Sequence, residues 1–354
     1  MPVDLRAAPK VLLHDHLDGG LRPATLLEFA DSDGRTLPAV DEAALAEWFV
    51  SAATAGTLER YLETFAHTVA ALQTEAALER VAAEAVADLA ADGVAYAELR
   101  YAPELCTAEG LAPEAVVEAV QAGIDRGVRE ARAAGREIGI GHLLCGMRHA
   151  DRTLEAARLA VAYRDRGVAG FDIAGPEAGF PPSRHAEAFA LLRRELVPVT
   201  VHAGEAAGID SVADALDVGA LRLGHGVRVL EDVTGERPGR VAAWVRDRQV
   251  ALECSPTSNV HTGASPSIAE HQITELRRLG FAVTVNTDNR LVSGTSMTRE
   301  MQRLRDEAGW ADTDLRAASV AAAEAAFLPW PERAALVERV RHGWDELLAA
   351  GDPA

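Results

Sequence analysis

The stretch Val11-Leu12-Leu13-His14-Asp15-His16 decides how the chain is read. Three aliphatic residues run directly into three polar ones, as a buried strand does where it emerges at one end of a sheet. Alternation along such a strand puts His14 and His16 on one face and Asp15 on the other. The pattern recurs three times further on. Val197–Val201 leads into His202-Ala203-Gly204-Glu205, Leu221–Leu223 into Gly224-His225-Gly226, and Phe281–Asn286 into Thr287-Asp288-Asn289.

Apolar runs with polar ends predict eight strands: Val11–His16, Val94–Tyr101, Ile138–Met147, Val168–Ala174, Val197–Ala203, Leu221–Gly224, Val250–Cys254 and Phe281–Thr287. Between most of them lie segments of helical period, such as Glu75–Ala91, Pro113–Ala134 and Leu154–Arg166. Strands alternating with helices imply a parallel sheet with right-handed crossovers, and eight such units imply a closed α/β barrel, the (β/α)8 TIM barrel. An open doubly wound sheet is the alternative. It would spread the polar ends of strands one, five, six and eight along a line, whereas a barrel brings them to one mouth. The predicted organisation is a single domain, 1–354. An insertion at about 20–92 forms helices over the mouth, and C-terminal helices span about 297–350, interrupted at Pro329 and Pro331.

Composition narrows the function classes. The chain has 354 residues, 48% apolar and 25% charged, which suits a water-soluble globular protein. No apolar run reaches the roughly 20 residues of a membrane span, and Met1-Pro2-Val3-Asp4 does not read as a signal peptide. Cys106, Cys145 and Cys254 are widely spaced and odd in number, which fits a reducing cytoplasm better than a disulfide framework. A net charge of −19 argues against nucleic acid or an anionic membrane as partner and for a small neutral or cationic substrate. Oligomeric state is not legible. Lys10 is the sole lysine and begins a strand, far from the motif end, so lysine chemistry at the site is not expected.

Each motif has a plain reading beside the chemical one. His14 and His16 make half a metal site. His202 ends a strand in a turn of small residues, with Glu205 three positions on, a suitable distance for a general acid. His225, between two glycines, suits orienting or deprotonating a metal-bound water as well as it suits a structural turn. Asp288 follows a buried strand and must be paired, metal-bound or a helix cap. Taken together, three imidazoles and one carboxylate around a divalent ion leave about one net positive charge, enough to acidify a bound water. Such a donor set also suits iron, cobalt or manganese. No role is read for His67, His142, His149, His185, His261, His271 or His342.

The wording and order of these motifs resemble the adenosine deaminase family of the amidohydrolase barrels, from Lys10 to about Leu328. The carrying pieces are Leu13–Gly19, Asp172–Gly175, His202–Glu205, Leu223–Gly226, Cys254–Asn259 and Asn286–Asp288. The resemblance implies one zinc ion (Zn2+) per chain, held by His14, His16, His202 and Asp288. It implies hydrolytic deamination of adenosine, and of 2′-deoxyadenosine, with Glu205 donating a proton to purine N1 and with Asp288 and His225 holding the attacking water. It further implies a substrate-binding set that includes His16 and in which Asp18 binds the ribose, the Gly175 amide meets N3, and Leu58, Tyr61, Leu62 and Phe65 wall the ribose side.

One position departs from the family's pattern of two consecutive aspartates, since the second is Asn289. An asparagine amide donates to purine N7 at any pH, whereas a carboxyl must first be protonated. The expectation is therefore retained N7 recognition and a wider alkaline range of activity. Related deaminases act on adenine, aminofutalosine or modified nucleosides, and other hydrolases share the fold, so these stand as alternatives. A barrel that kept its metal and lost catalysis is disfavoured by the presence of Glu205 and His225. The deaminases built on His-x-Glu with Pro-Cys-x-x-Cys are excluded, because no Cys-x-x-Cys occurs.

Overall fold

A computed structural model describes residues 2–54 and 56–351. Eight parallel strands form a closed α/β barrel: β1 Lys10–His16, β2 Val94–Tyr101, β3 Gly139–Met147, β4 Val168–Ala174, β5 Thr200–Ala203, β6 Arg222–His225, β7 Ala251–Cys254 and β8 Val283–Val285. They pair as two four-stranded halves, β1 to β4 and β5 to β8. Two isolated parallel bridges close the halves into a ring, Phe171 with Val199 and Asp15 with Asp288. Each strand lies where an apolar run predicted it. The later strands are shorter than predicted, because Val197–Val199 and Asn286–Thr287 continue the direction of β5 and β8 without full ladder pairing.

The seam between β8 and β1 places part of the site. The Asp288 amide donates to the His14 carbonyl at 2.9 Å, and the His16 amide donates to the Asp288 carbonyl at 2.7 Å. Two histidines and an aspartate 272 residues or more apart in sequence are thereby fixed by backbone pairing alone. No helix starts at Asp288. The next begins at Met297, capped by the Ser296 side chain, so the capping reading of Asp288 does not hold.

Among the described residues between β1 and β2 lie five α-helices: α1 Pro23–Ser32, α2 Glu42–Ala53, α3 Leu58–Glu63, α4 Phe65–Ala71 and α5 Glu75–Ala91. Side chains of Asp41, Thr57 and Thr74 cap α2, α3 and α5 by accepting a backbone N–H. Leu45, Phe49 and Tyr61 of this insertion belong to the same buried apolar cluster as the barrel strands. After β8 the chain is helical over Met297–Ala308, Asp312–Ala325 and Trp330–Gly351, with Pro331 in the first turn of the last helix, where a missing N–H costs nothing. Among the described residues no helix is long and apolar enough to cross a membrane.

The barrel interior is polar in its middle. Arg222 joins Glu98 and Glu253, and Arg100 joins Glu253 at 2.8 Å and Asp172 at 2.7 Å, all buried. Such charges are tolerable only when paired and hydrogen-bonded, and here each carboxylate meets at least one guanidinium. Lys10 lies at the other end of β1, its ammonium on the carbonyls of Leu5 and Ala8 at 2.5 and 2.8 Å. Burial pushes its pKa down to about 8.

Candidate active site

The ends of β1, β5 and β8 deliver His14, His16, His202 and Asp288 to one point, with one donor atom from each lying within 4.8 Å of the others. His16 Nε2 and His202 Nε2 are 3.2 Å apart, and Asp288 Oδ1 lies 3.3 Å from His14 Nε2 and 3.5 Å from His16 Nε2. Carboxylates stand at the far sides of two rings. His14 Nδ1 is 3.1 Å from Glu253 Oε2, and His202 Nδ1 is 2.8 Å from Asp172 Oδ2. With carboxylates beside those δ nitrogens, the ε nitrogens converge, as ligating imidazoles backed by carboxylates do. His14 Nε2 is buried and has no hydrogen-bond partner. An orphaned lone pair beside two other imidazoles and a carboxylate fits a divalent metal ion.

The approach of the rings needs a missing side chain. A Cβ on Gly224 would sit 3.0 Å from His202 Cα and 3.2 Å from His14 Cε1. The next residue, His225, has φ 64, and Asp288 has φ 57. Both are non-glycine residues in the left-handed region, a strain that clusters where a fold over-determines a functional geometry.

Glu205 and His225 lie beside the cluster. Burial, reinforced by the charges of Asp288 and Glu177, pushes the Glu205 pKa up to about 8, so the carboxyl is mainly protonated at neutral pH. Burial brings His225 down to about 4, leaving a neutral imidazole. His225 Nε2 is 3.5 Å from Glu205 Oε2. Burial also pushes Asp18 up to about 7, and its Oδ1 has no partner.

A cavity of about 500 Å³ brings the sequence-predicted residues together, being lined by His16, Asp18, Gly175, His202, Glu205, His225, Asp288 and Asn289. From α3 and α4, Leu58, Tyr61, Leu62 and Phe65 line the same cavity. His14 stands behind them, fully buried. The Asn289 amide donates to the Tyr61 hydroxyl at 2.9 Å, a contact the sequence did not suggest.

The supporting groups were missed by sequence reasoning. Ser258 donates to Asp288 Oδ2 at 2.6 Å, Thr262 to Glu205 Oε1 at 2.9 Å, and Asn259 to His225 Nδ1 at 3.0 Å. Glu177, on the loop after β4, accepts the N–H groups of Gly204, Glu205, Ala206 and Ala207. His271, read as having no role, is buried and lies 3.2 Å from Asn259 Oδ1. A signal was present for some of these. Asp172 and Glu253 are single acids inside apolar strands, which demand a partner.

Comparison with known proteins gives the family and the fold. Residues 9–343 match the family model described as Adenosine deaminase. The chain belongs to the adenosine deaminase family. "Adenosine deaminase 1" of Streptomyces coelicolor is 54% identical, with 98% of this chain and 89% of that protein covered. "Adenosine deaminase" of Mycobacteroides abscessus is 52% identical, over 96% of this chain and 95% of that protein. Among solved structures, the fold of this family member is like that of an adenine deaminase from Arthrobacter aurescens, with TM-score 0.84 and 24% identity, covering 96% and 99% of the two chains. It is also like a cog1816 amidohydrolase from Burkhoderia ambifaria with bound Zn, with TM-score 0.86 and 22% identity, covering 98% and 93%.

Proposed function

We propose that the chain hydrolyses adenosine and 2′-deoxyadenosine to inosine or deoxyinosine and ammonia, with one zinc ion held by His14, His16, His202 and Asp288. The observation that carries this is the meeting, in one cavity, of that donor set with a buried carboxyl kept protonated near neutral pH. Relatives more than 50% identical over nearly the whole chain bear the name adenosine deaminase, which supports the same substrate.

When bound, the metal makes a water molecule nucleophilic near neutral pH. The remaining work falls to the protein. Glu205 donates its proton to ring N1, so that addition of water at C6 yields a neutral adduct in place of an anion. His225 and Asp288 hold the attacking water in line with C6. The Asp288 carboxylate takes the proton the water gives up and passes it to the departing amino group, which leaves as ammonia, while the C6 hydroxyl proton returns to Glu205 as the carbonyl forms. The Gly175 amide meets N3 from a glycine at φ 100, and Asn289 donates to N7. Asp18, buried with one oxygen free, takes a ribose hydroxyl, and this favours a nucleoside over a free base. Leu58, Tyr61, Leu62 and Phe65 exclude water from the sugar side.

The test is metal analysis of the purified protein, together with ultraviolet assays on adenosine, 2′-deoxyadenosine, adenine and aminofutalosine. About one zinc per chain and fast turnover of adenosine are expected. Turnover of another aminopurine alone would keep the chemistry and change the substrate, and a metal-loaded protein that turns over none of them would refute the reading.

A further inference from the structure

A short chain of hydrogen bonds behind the site has an unambiguous start. The Ile273 backbone N–H, which can only donate, gives its hydrogen to His271 Nδ1 at 3.0 Å, so this histidine caps the helix Gln272–Arg278 through that nitrogen. His271 is buried and neutral, burial having pushed its pKa down to about 3. Its one ring hydrogen is therefore on Nε2, facing Asn259 Oδ1 at 3.2 Å. Together with the Ser255 backbone N–H, which donates to the same oxygen at 3.4 Å, that settles the Asn259 amide, since its oxygen accepts and its nitrogen must point the other way. The nitrogen donates to His225 Nδ1 at 3.0 Å and to Glu205 Oε1 at 3.3 Å.

Two consequences reach the cavity. With Nδ1 accepting, neutral His225 carries its hydrogen on Nε2, the nitrogen on the Glu205 side. Glu205 Oε1 already accepts from Asn259 and, at 2.9 Å, from Thr262, so the carboxyl's own hydrogen belongs on Oε2.

We propose that His271 is a positioning residue of the reaction, acting through Asn259 to fix His225 as the Nε2–H tautomer and to direct the Glu205 proton to Oε2. In this arrangement His225 is a hydrogen-bond donor to the oxygen nucleophile and has no lone pair facing it, so it orients the water and does not deprotonate it. The inference deepens the deaminase reading, yet its central claim is a tautomer that can be observed without turnover.

The experiment uses zinc-loaded protein labelled with 15N-histidine, with the His225 resonances assigned by their loss in H225Q. The wild type is expected to show a protonated Nε2 and a bare Nδ1 at His225. In H271L that preference is lost, and kcat falls about 10- to 100-fold, the usual cost of removing an orienting partner, with KM within about twofold. H271Q keeps an N–H donor for Asn259 and restores both readouts, while N259D draws the His225 hydrogen to Nδ1 and lowers kcat further. Metal content and thermal unfolding of each variant identify any that simply fail to fold, and H271Q against H271L then decides. A wild-type His225 protonated at Nδ1, or an H271L protein with unchanged tautomer and unchanged kcat, would overturn the proposal. Failure to turn over adenosine would leave the tautomer result standing and refute only the substrate.

Discussion

Replacing Glu177 by glutamine probes how the acid of the site is held. The Glu177 carboxylate accepts the N–H groups of Gly204 (2.6 Å), Glu205 (3.0 Å), Ala206 (2.6 Å) and Ala207 (2.9 Å) and the hydroxyl of Ser211 (2.5 Å). Glutamine keeps one accepting oxygen. The less costly orientation leaves that oxygen on Glu205, Ala206 and Ala207 and turns the amide nitrogen toward Gly204 and Ser211. The serine hydroxyl can rotate to accept, but the Gly204 N–H is left buried and unpaired, at a cost of about 1–3 kcal/mol. The three retained bonds fall from charge-assisted to neutral strength, about 1 kcal/mol each. These terms share one side chain and do not add fully, so a loss of about 3–4 kcal/mol is expected. That is within the stability of an ordinary domain, and the variant should fold with a midpoint lowered by about 4–6 °C. Activity should fall more sharply, because a displacement of Glu205 by about 1 Å can cost about 100-fold in rate. Glu177 also helps to raise the Glu205 pKa, so removing its charge should shift the alkaline limb of kcat/KM to lower pH. Thermal unfolding followed by circular dichroism and a pH profile on the metal-loaded variant measure both effects. A midpoint within about 1 °C of wild type together with an unmoved alkaline limb would show that the turn is held by something else.

Activity should require protonated Glu205. With its pKa raised to about 8, the acid form is present below that value and lost above it, and a bound cation lowers the limb further; E205Q should cut kcat by at least about 100-fold, and equal activity on both sides of the limb in the wild type would refute the assignment. Neutral His225, brought down to about 4, should leave kcat/KM insensitive to its protonation until pH falls toward that value, as a profile of the metal-saturated protein would reveal. Removing the carboxylate behind His14 (E253Q) or behind His202 (D172N) should weaken metal binding about 10- to 100-fold, measured by chelator competition, and unchanged affinity in both would show that those carboxylates do not orient the rings. A methyl group on Gly19 would lie 1.8 Å from Asn289 Oδ1, so G19A should raise KM for adenosine by displacing Asn289, and wild-type steady-state kinetics would count against a role for that amide.

The metal-donor and catalytic candidates were legible in the sequence, while the groups that hold them, and cavity-lining residues such as Arg148 and His149, mostly were not, and the reason is geometric. His14, His202 and Asp288 sit where a strand leaves the barrel, so each appears as a polar residue terminating an apolar run, and eight such runs alternating with helices also disclosed the barrel. Arg100, Asp172, Arg222 and Glu253 lie inside strands and face the barrel axis, where each charge is balanced by another from a different strand. A single sequence shows each as an isolated break in an apolar pattern, and the pairing exists only after closure. His271 was hidden for a different reason. It precedes a short helix and looks like any polar residue at a helix start; only the donor that meets its Nδ1 and the acceptor that meets its Nε2 distinguish a cap from a group that sets a tautomer. The cap and the relay are the same side chain. The bond that starts a helix thus shares with the Ser255 N–H in setting the direction of the hydrogen bonds from there to Glu205, so a change that leaves that helix intact can still disturb the chemistry two residues away through space.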